Sequence, residues 1–265
     1  MFAPPEDTAP VEYTLSDGRT VLAVHPTEAG TIWGEINDDP GSLYRRAAVG
    51  LPADEVIIDV GAHIGLAALF FADQVPGVRL LSVEPAPRTF ACLEANLARH
   101  APGAIACRAA VGAQPGTATL TFRPYIASAS SLHEDPQDQD RNLEAYFINT
   151  HTVDEQARAA GRGYFEVTET VPVDVTTLAA LMKEHAVDRV GLLKVDVERG
   201  ELEVLRGIDP DAWPRIRRVV LEVHDIAGRL GEIVGLLAGL GYEVTVSQTP
   251  VFAGGSVFLV LARRD

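Results

Sequence analysis

Apolar positions along this chain come in short runs broken by turn residues, and the spacing inside the runs changes character near residue 55. Before that point, Val11–Leu15 and Thr20–Val24 alternate like strands around Ser16-Asp17-Gly18, which predicts a hairpin. Residues 31–50 are less regular and hold Trp33, Glu35, Tyr44 and Arg45; a short helix or two, laid as a cover on the main domain, is expected there. From Glu55–Val60 onward, β-branched runs alternate with helical spacing. The pattern predicts strands at Arg79–Val83, Ile105–Val111, Thr117–Phe122, Phe165–Val175, Arg189–Val195, Val219–Val223, Tyr242–Val246 and Ser256–Leu261. Helices are expected at Ile64–Gln74, Pro87–His100, Thr176–His185, Glu198–Arg206 and Ile226–Leu240. The polar stretch 124–163 reads as a long loop with one helical piece near Arg141–Phe147.

Strand, helix, strand, helix at this spacing implies parallel βαβ units and an α/β fold. The chain of 265 residues is long enough for one sizeable core. The expected division is an N-terminal extension over 1–50 and a main domain over 51–265. No run approaches the ~20 apolar residues of a membrane span, and the acidic, proline-rich Met1–Pro10 does not read as a signal peptide. Cys92 and Cys107 show no metal-type spacing, so a reducing cytoplasm is expected. The net charge of −15 argues against nucleic acid as a partner. The densest basic cluster, Arg215, Arg217 and Arg218, flanks an apolar strand.

The first chemical signal is Asp59-Val60-Gly61-Ala62-His63-Ile64-Gly65, closing a strand and opening a helix. Glycine allows the tight turn and a close ligand, and the new helix offers free N–H groups. A dinucleotide turn needs a second Gly where His63 stands, and a pyrophosphate would collide with that ring. S-adenosylmethionine (SAM) carries no phosphate and needs only the turn. Glu84, ending the second strand of the βαβ unit, stands where a ribose diol would be held, and a carboxylate can accept both hydroxyls.

The second signal is Lys194-Val195-Asp196-Val197-Glu198, and the third is Leu221-Glu222-Val223-His224-Asp225. Both sit at the carboxyl ends of buried strands, where open α/β sheets bind ligands. If those strands are neighbours, Asp196, Glu222 and His224 converge beside the turn. His224 then reads as a general base, oriented by Glu222 or Asp196. A divalent metal on Asp196, Glu222 and His224 is the less favoured reading, because no tight ligand spacing appears. Glu198 and Glu201 read as acids favouring a helix N-terminus. His133, in the polar loop, is a rival base.

With these residues in place, the chain resembles the FkbM-type methyltransferase family. The resemblance covers roughly residues 55–225 and rests on DVGAHIG at 59–65, VEPAP at 83–87, SASS at 128–131, LKVDVERGELEVL at 193–205 and LEVH at 221–224. It implies a Rossmann-like class I fold: seven strands, the last antiparallel, with helices on both faces. It implies SAM as cofactor and O-methylation of hydroxyls on natural products, sugars or lipid-linked glycans. Asp59, Gly61 and Gly65 match the family's first cofactor motif, Glu84 its ribose acid, and Lys194, Asp196 and Glu201 its K-x-D-x-E-G-x-E signature. Ala62, His63, Pro85 and Ser131 join the expected cofactor site. The chain departs from the family at His63, where Asn is frequent, and at Arg199, where Gly is usual.

The expected mechanism places SAM on the Gly61 turn and Glu84, with Asp196 at its amino end. His224 with Glu222 faces the acceptor oxygen, Lys194 and Asp196 complete the set of catalytic candidates, and the segment around Tyr44 and the loop 124–150 close over the acceptor. A silent methyltransferase-like binding module and a nucleotide-dependent oxidoreductase or epimerase are the competing readings. The acceptor itself is not written in the sequence. A free macrolide or sugar, or a polyketide or peptide tethered to a carrier protein in a larger synthase, is compatible.

Overall fold

The computed structural model describes residues 9–264, so the expectation for the acidic tip of the chain lies almost entirely outside the described residues. The hairpin forms as expected: β1 (Val11–Thr14) pairs antiparallel with β2 (Thr20–Ala23). Two short helices follow, α1 (Pro26–Trp33) and α2 (Leu43–Ala48), with a π-helical turn over Gly34–Asp38 between them. The βαβ series then runs β3 (Val56–Val60), α3 (Leu66–Gln74), β4 (Arg79–Val83), α4 (Pro87–His100) and β5 (Ile105–Cys107). After it come β6 (Ala110–Val111), β7 (Gly116–Phe122), α5 (Pro136–Asn149), α6 (Glu155–Glu166) and β8 (Glu169–Thr176). The chain finishes with α7 (Leu178–Glu184), β9 (Leu192–Val195), α8 (Glu201–Arg206), β10 (Arg218–His224), α9 (Arg229–Gly239), β11 (Glu243–Ser247) and β12 (Val257–Arg263).

Seven strands form one sheet in the order β11-β12-β10-β9-β3-β4-β5. β3, β4, β5, β9 and β10 are parallel, and β12 runs antiparallel between β10 and β11. This is the Rossmann-like class I arrangement. Alternating side chains of the central strands feed two cores. Ile58, Val60, Leu193, Val195 and Leu221 pack towards α7, α8 and α9 on one face. Ile57, Leu192 and Val220 pack on the other with Phe70 and Leu93, and with Trp33, Leu43 and Ala47 of the N-terminal segment. Strand order reverses between β3 and β9, which opens a crevice at their carboxyl ends.

Four expectations need correction. The strand read over Ile105–Val111 is divided: its first part joins the main sheet, and Ala110–Val111 pairs with β8 in a separate sheet ordered β6-β8-β7. The stretch 124–163 is not a loop with one helical piece but contains all of α5 and most of α6. Its helices are capped by Asp135, which accepts from the Asp138 N–H, and by Asp154, which accepts from Gln156 and Ala157. Because α6 runs to Glu166, β8 begins at Glu169 rather than Phe165. Likewise α8 begins at Glu201, and residues 198–200 form a turn in which Glu198 and Arg199 take φ of 53° and 80°.

Candidate active site

β3 ends in a turn where Gly61 adopts φ of 76° and Gly65 adopts φ of 94° before α3. A Cβ on Gly61 would lie 1.7 Å from the Asp196 carbonyl oxygen, so the close crossing of the two chain segments requires glycine here. Parallel register sets Asp59 beside Lys194, and the Lys194 ammonium lies 3.0 Å from Asp59 Oδ1 and 3.4 Å from Asp196 Oδ2. It also donates to the Gly61 carbonyl at 2.6 Å. Burial opposes that charge, but the Asp59 and Asp196 carboxylates hold Lys194 protonated, above its ordinary value. Lys194, a catalytic candidate from sequence, is thus spent on bracing the turn. The Tyr44 hydroxyl donates to Asp196 at 3.4 Å.

Glu84 sits beside the turn. Its Oε2 accepts the His63 N–H at 3.0 Å and its Oε1 the Ala86 N–H at 2.9 Å, which fixes the carboxylate and leaves lone pairs on both oxygens. Burial raises its pKa to about 7. The His63 ring points to Glu28, with Nε2 3.5 Å from Oε2. Ser131 is buried, and its hydroxyl donates to the backbone carbonyls of His133 and Glu198. It braces the loop from behind, while Ser130 and His133 line the cavity.

β10 brings Glu222 and His224 to the same side of the sheet, next to β9. The sequence points to Glu222 or Asp196 as the group that orients His224, but the structure gives that place to Asp138 and Glu198. His224 Nδ1 donates to Asp138 Oδ2 at 3.0 Å, and Nε2 lies 3.3 Å from Glu198 Oε2. Asp138 is itself held by the hydroxyl of Ser256, by the Asn142 side chain at 3.2 Å and by Arg199 Nε at 2.9 Å. Burial opposes charge on His224, yet these carboxylates outweigh it and raise the imidazole well above its ordinary value. Burial also drives Glu222 well above the usual carboxylate range, with Asp196 and Glu198 adding to it. The trio closest together is Glu198, Glu222 and His224, whose donor atoms lie within 4.8 Å of one another; Asp196 is tied to Lys194 instead.

One cavity of about 920 Å³ joins these two centres. Gly61, Ala62, His63, Glu84, Pro85 and Asp196 line its sheet side, and Glu198, Glu222 and His224 its depth. Asp59, at 0% exposure, stands behind the wall. The far side is aromatic, with Tyr146, Phe147 and Phe252 from α5 and the turn before β12. His25, Tyr125 and Tyr164 cluster there with ring centroids 5.9–6.3 Å apart.

A model of the methyltransferase FkbM domain matches residues 59–244, the span that holds the Gly61 turn, Glu84, Glu198, Glu222 and His224. The chain belongs to the FkbM methyltransferase family. Along 94% of its length it is 38% identical to 31-O-demethyl-FK506 methyltransferase FkbM of Streptomyces tacrolimicus, covering 95% of that protein. It is 30% identical to methyltransferase sdnD of Sordaria araneosa over 96% of the chain and 97% of sdnD. It is also 30% identical to AMB antimetabolite synthetase AmbE of Pseudomonas aeruginosa, where 94% of this chain spans 12% of that protein. A solved FkbM methyltransferase from Methylobacillus flagellatus shares the fold with a TM-score of 0.53 and 15% identity, over 82% of this chain and 47% of that one. Membership in this family makes the chain a methyltransferase of SAM-dependent type. Among the described residues no helix is long and apolar enough to cross a membrane.

Sequence reasoning missed Asp138 and misread Glu198. Asp138 lies in a polar run whose only helix signals are Asp135-Pro136 and the acids after it, so nothing tied it to a strand end. Glu198 reads as a first-turn acid only if α8 starts there. Arg199 in a left-handed turn, its N–H donating to Glu201 at 2.6 Å and its carbonyl accepting from Arg229 at 2.6 Å, postpones the helix and aims Glu198 at His224.

Proposed function

We propose that this chain is a SAM-dependent O-methyltransferase acting on a hydroxyl of an apolar natural product, presented free or on a carrier. The observation that carries the reading is the shared cavity, with the Gly61 turn and Glu84 at one end and the Glu222–His224 group at the other. Its volume lies at the upper end of the range for single small-molecule sites, so a cofactor and part of an acceptor both have room. The residues present fit SAM. Glu84 keeps two acceptor oxygens for a ribose diol, the turn exposes backbone, and Asp196 offers a carboxylate to an amino group. SAM bound there supplies a methyl group on a positively charged sulfur.

The acids around the cavity favour that positive charge, and the aromatic wall removes water from an apolar acceptor. Methyl transfer forms an O–CH₃ bond as the CH₃–S bond breaks, the sulfur leaves as a neutral thioether, and the hydroxyl proton must go elsewhere. The group of Glu198, Glu222 and His224 stands where it can take that proton or ease its loss. Orientation of the two reactants supplies the rest of the rate. The names of the FK506 and AmbE relatives support a secondary-metabolite acceptor, and the span within AmbE supports one held by a larger assembly. The N-terminal segment up to residue 50, through Tyr44 and Glu35, covers the cavity from the side.

The test is calorimetric titration with S-adenosylhomocysteine, followed by mass spectrometry of hydroxyl-bearing macrolides, sugars and amines incubated with SAM. Methylated alcohols with unmodified amines are the expected result. Failure to bind the adenosyl ligand, or methylated amines alone, overturns the reading. Within it, Glu222→Gln lowers turnover at least about 100-fold with adenosyl affinity unchanged.

A further inference from the structure

We propose that Glu198, Glu222 and His224 form a binding site for one divalent cation of the Mg²⁺/Mn²⁺ class, with Asp138 as the carboxylate that orients the histidine. The proposal rests on the methyltransferase reading for its purpose but not for its geometry.

Three features converge on it. First, an imidazole nitrogen and two carboxylates come from two adjacent strand ends and lie within 4.8 Å of one another, a spacing one ion can span. Second, His224 is 4% exposed and its Nε2 is buried without a hydrogen bond, although Glu198 stands 3.3 Å away. Glu222 likewise has neither a hydrogen bond nor a Lys or Arg ion pair among the described residues. A buried nitrogen without a hydrogen bond and a half-buried carboxylate without one, within 4.8 Å of each other and of Glu198, are both satisfied if a ligand sits between them. Third, the opposite side of the ring is already prepared. Asp138 accepts from Nδ1 at 3.0 Å, so when a cation displaces the second ring proton the Nε2 lone pair is turned towards Glu198, 3.3 Å away. Metal-bound histidines ordinarily give their other N–H to a carboxylate in this way.

The available countercharge shows why an ion is wanted. Lys194 serves Asp59 and Asp196, and Arg199 Nε serves Asp138 while its Nη1 stays 3.8 Å from Glu198. Nothing in that set reaches Glu222. The donor set chooses the ion: two carboxylates with a single imidazole suit a hard cation that tolerates nitrogen, and Mn²⁺ does so best within this class. Facing the acceptor end of the cavity, a cation there would neutralise the two acids and draw charge from an incoming hydroxyl, easing loss of its proton. His224 then acts through the ion and not as a free base.

The experiment uses the full chain, stripped with chelator and without SAM, titrated with Mn²⁺ and read by the loss of the free-ion electron paramagnetic resonance signal. The expected result is one bound equivalent, with affinity lowered at least about tenfold by Glu222→Gln and by Asp138→Asn. Glu222→Gln keeps the shape of a side chain that makes no hydrogen bonds, so it is expected to fold, and circular dichroism checks that it does. No Mn²⁺ binding by the wild-type chain overturns the proposal, as does binding unchanged by Glu222→Gln and Glu198→Gln alike. A parallel titration with S-adenosylhomocysteine separates the two readings. Adenosyl binding without Mn²⁺ binding sinks the cation site alone, and Mn²⁺ binding without adenosyl binding sinks the cofactor assignment alone.

Discussion

Glu28 and His63 meet across the seam between α1 and the turn after β3, with Oε2 and Nε2 3.5 Å apart and both side chains largely removed from solvent. The same Glu28 carboxylate accepts the Ala127 N–H at 3.1 Å and the Ser128 N–H at 2.7 Å. One acid therefore ties the N-terminal helix, the cofactor-type turn and the serine-rich loop together.

That tie has a pH window. Burial opposes both charges, but mutual attraction lowers Glu28 from its ordinary 4.5 and raises His63 from its ordinary 6.5. The Glu28 contribution is present above its unfolded value and lost as pH falls through the folded one. The His63 contribution is full below its unfolded value and lost as pH rises through the raised one. Glu28→Gln is expected to cost about 1.5–3 kcal/mol near pH 6. The gap in melting temperature between variant and wild type narrows as pH rises through the raised His63 value. A gap that widens with pH would show that the ion pair is not its source.

Removing Lys194 leaves Asp59 buried without a countercharge. Lys194→Met is expected to destabilise the chain by about 3–5 kcal/mol in urea denaturation, and adding Asp59→Asn recovers part of the loss. Equal stability of the single and double variants would contradict the pairing.

Glu84→Gln removes a charged acceptor from the proposed ribose position and is expected to weaken S-adenosylhomocysteine about 10–100-fold in calorimetry. With the Glu84 pKa raised to about 7 by burial, ionisation on passing upward through neutrality destabilises the free fold but completes the acceptor. Adenosyl affinity should therefore rise from about pH 6 to about pH 8 in the wild type and stay flat in Glu84→Gln. A flat wild-type profile would remove the carboxylate from the site.

Gly61→Ala and Gly18→Ala form a matched pair. Both glycines have positive φ, 76° and 89°, but only Gly61 has backbone where a Cβ would go, while Gly18 has nothing within 4 Å. The Gly18 variant is expected to lose about 1–2 kcal/mol. The Gly61 variant should lose at least about 3 kcal/mol, because the β3 and β9 strand ends must separate. Comparable melting temperatures would mean that the turn yields more easily than its packing suggests.

The parts of the molecule legible in the sequence are those whose side-chain period is enforced by burial. β3, β4, β9 and β10 are largely buried on both faces and read as apolar runs interrupted by few polar residues, so Gly61, Glu84, Asp196 and His224 at or just past their carboxyl ends could be placed before the fold was known. α5 was legible only as the helical piece near Arg141–Phe147, because its buried stripe includes the polar Asp138 and Asn142, and α6 was not legible, since among its described residues none is fully buried. The partner of His224 was lost with them. Glu198 failed for another reason. Its position depends on two consecutive left-handed residues, which L-amino acids rarely adopt and no periodicity announces.

β6 to β8 and α5 to α6 all enter and leave between β5 and α7, so one uninterrupted stretch of chain supplies Tyr125, Tyr146, Phe147 and Tyr164 of the aromatic side and also carries Asp138. Which acceptors fit and how the histidine is set are therefore inherited together. A chimera exchanging residues 110–176 with a relative would trade both traits in one cut while leaving Gly61 and Glu84 in place. On the proposed reading, acceptor preference and the setting of the histidine are expected to move together, while Glu198, Glu222 and His224 stay behind.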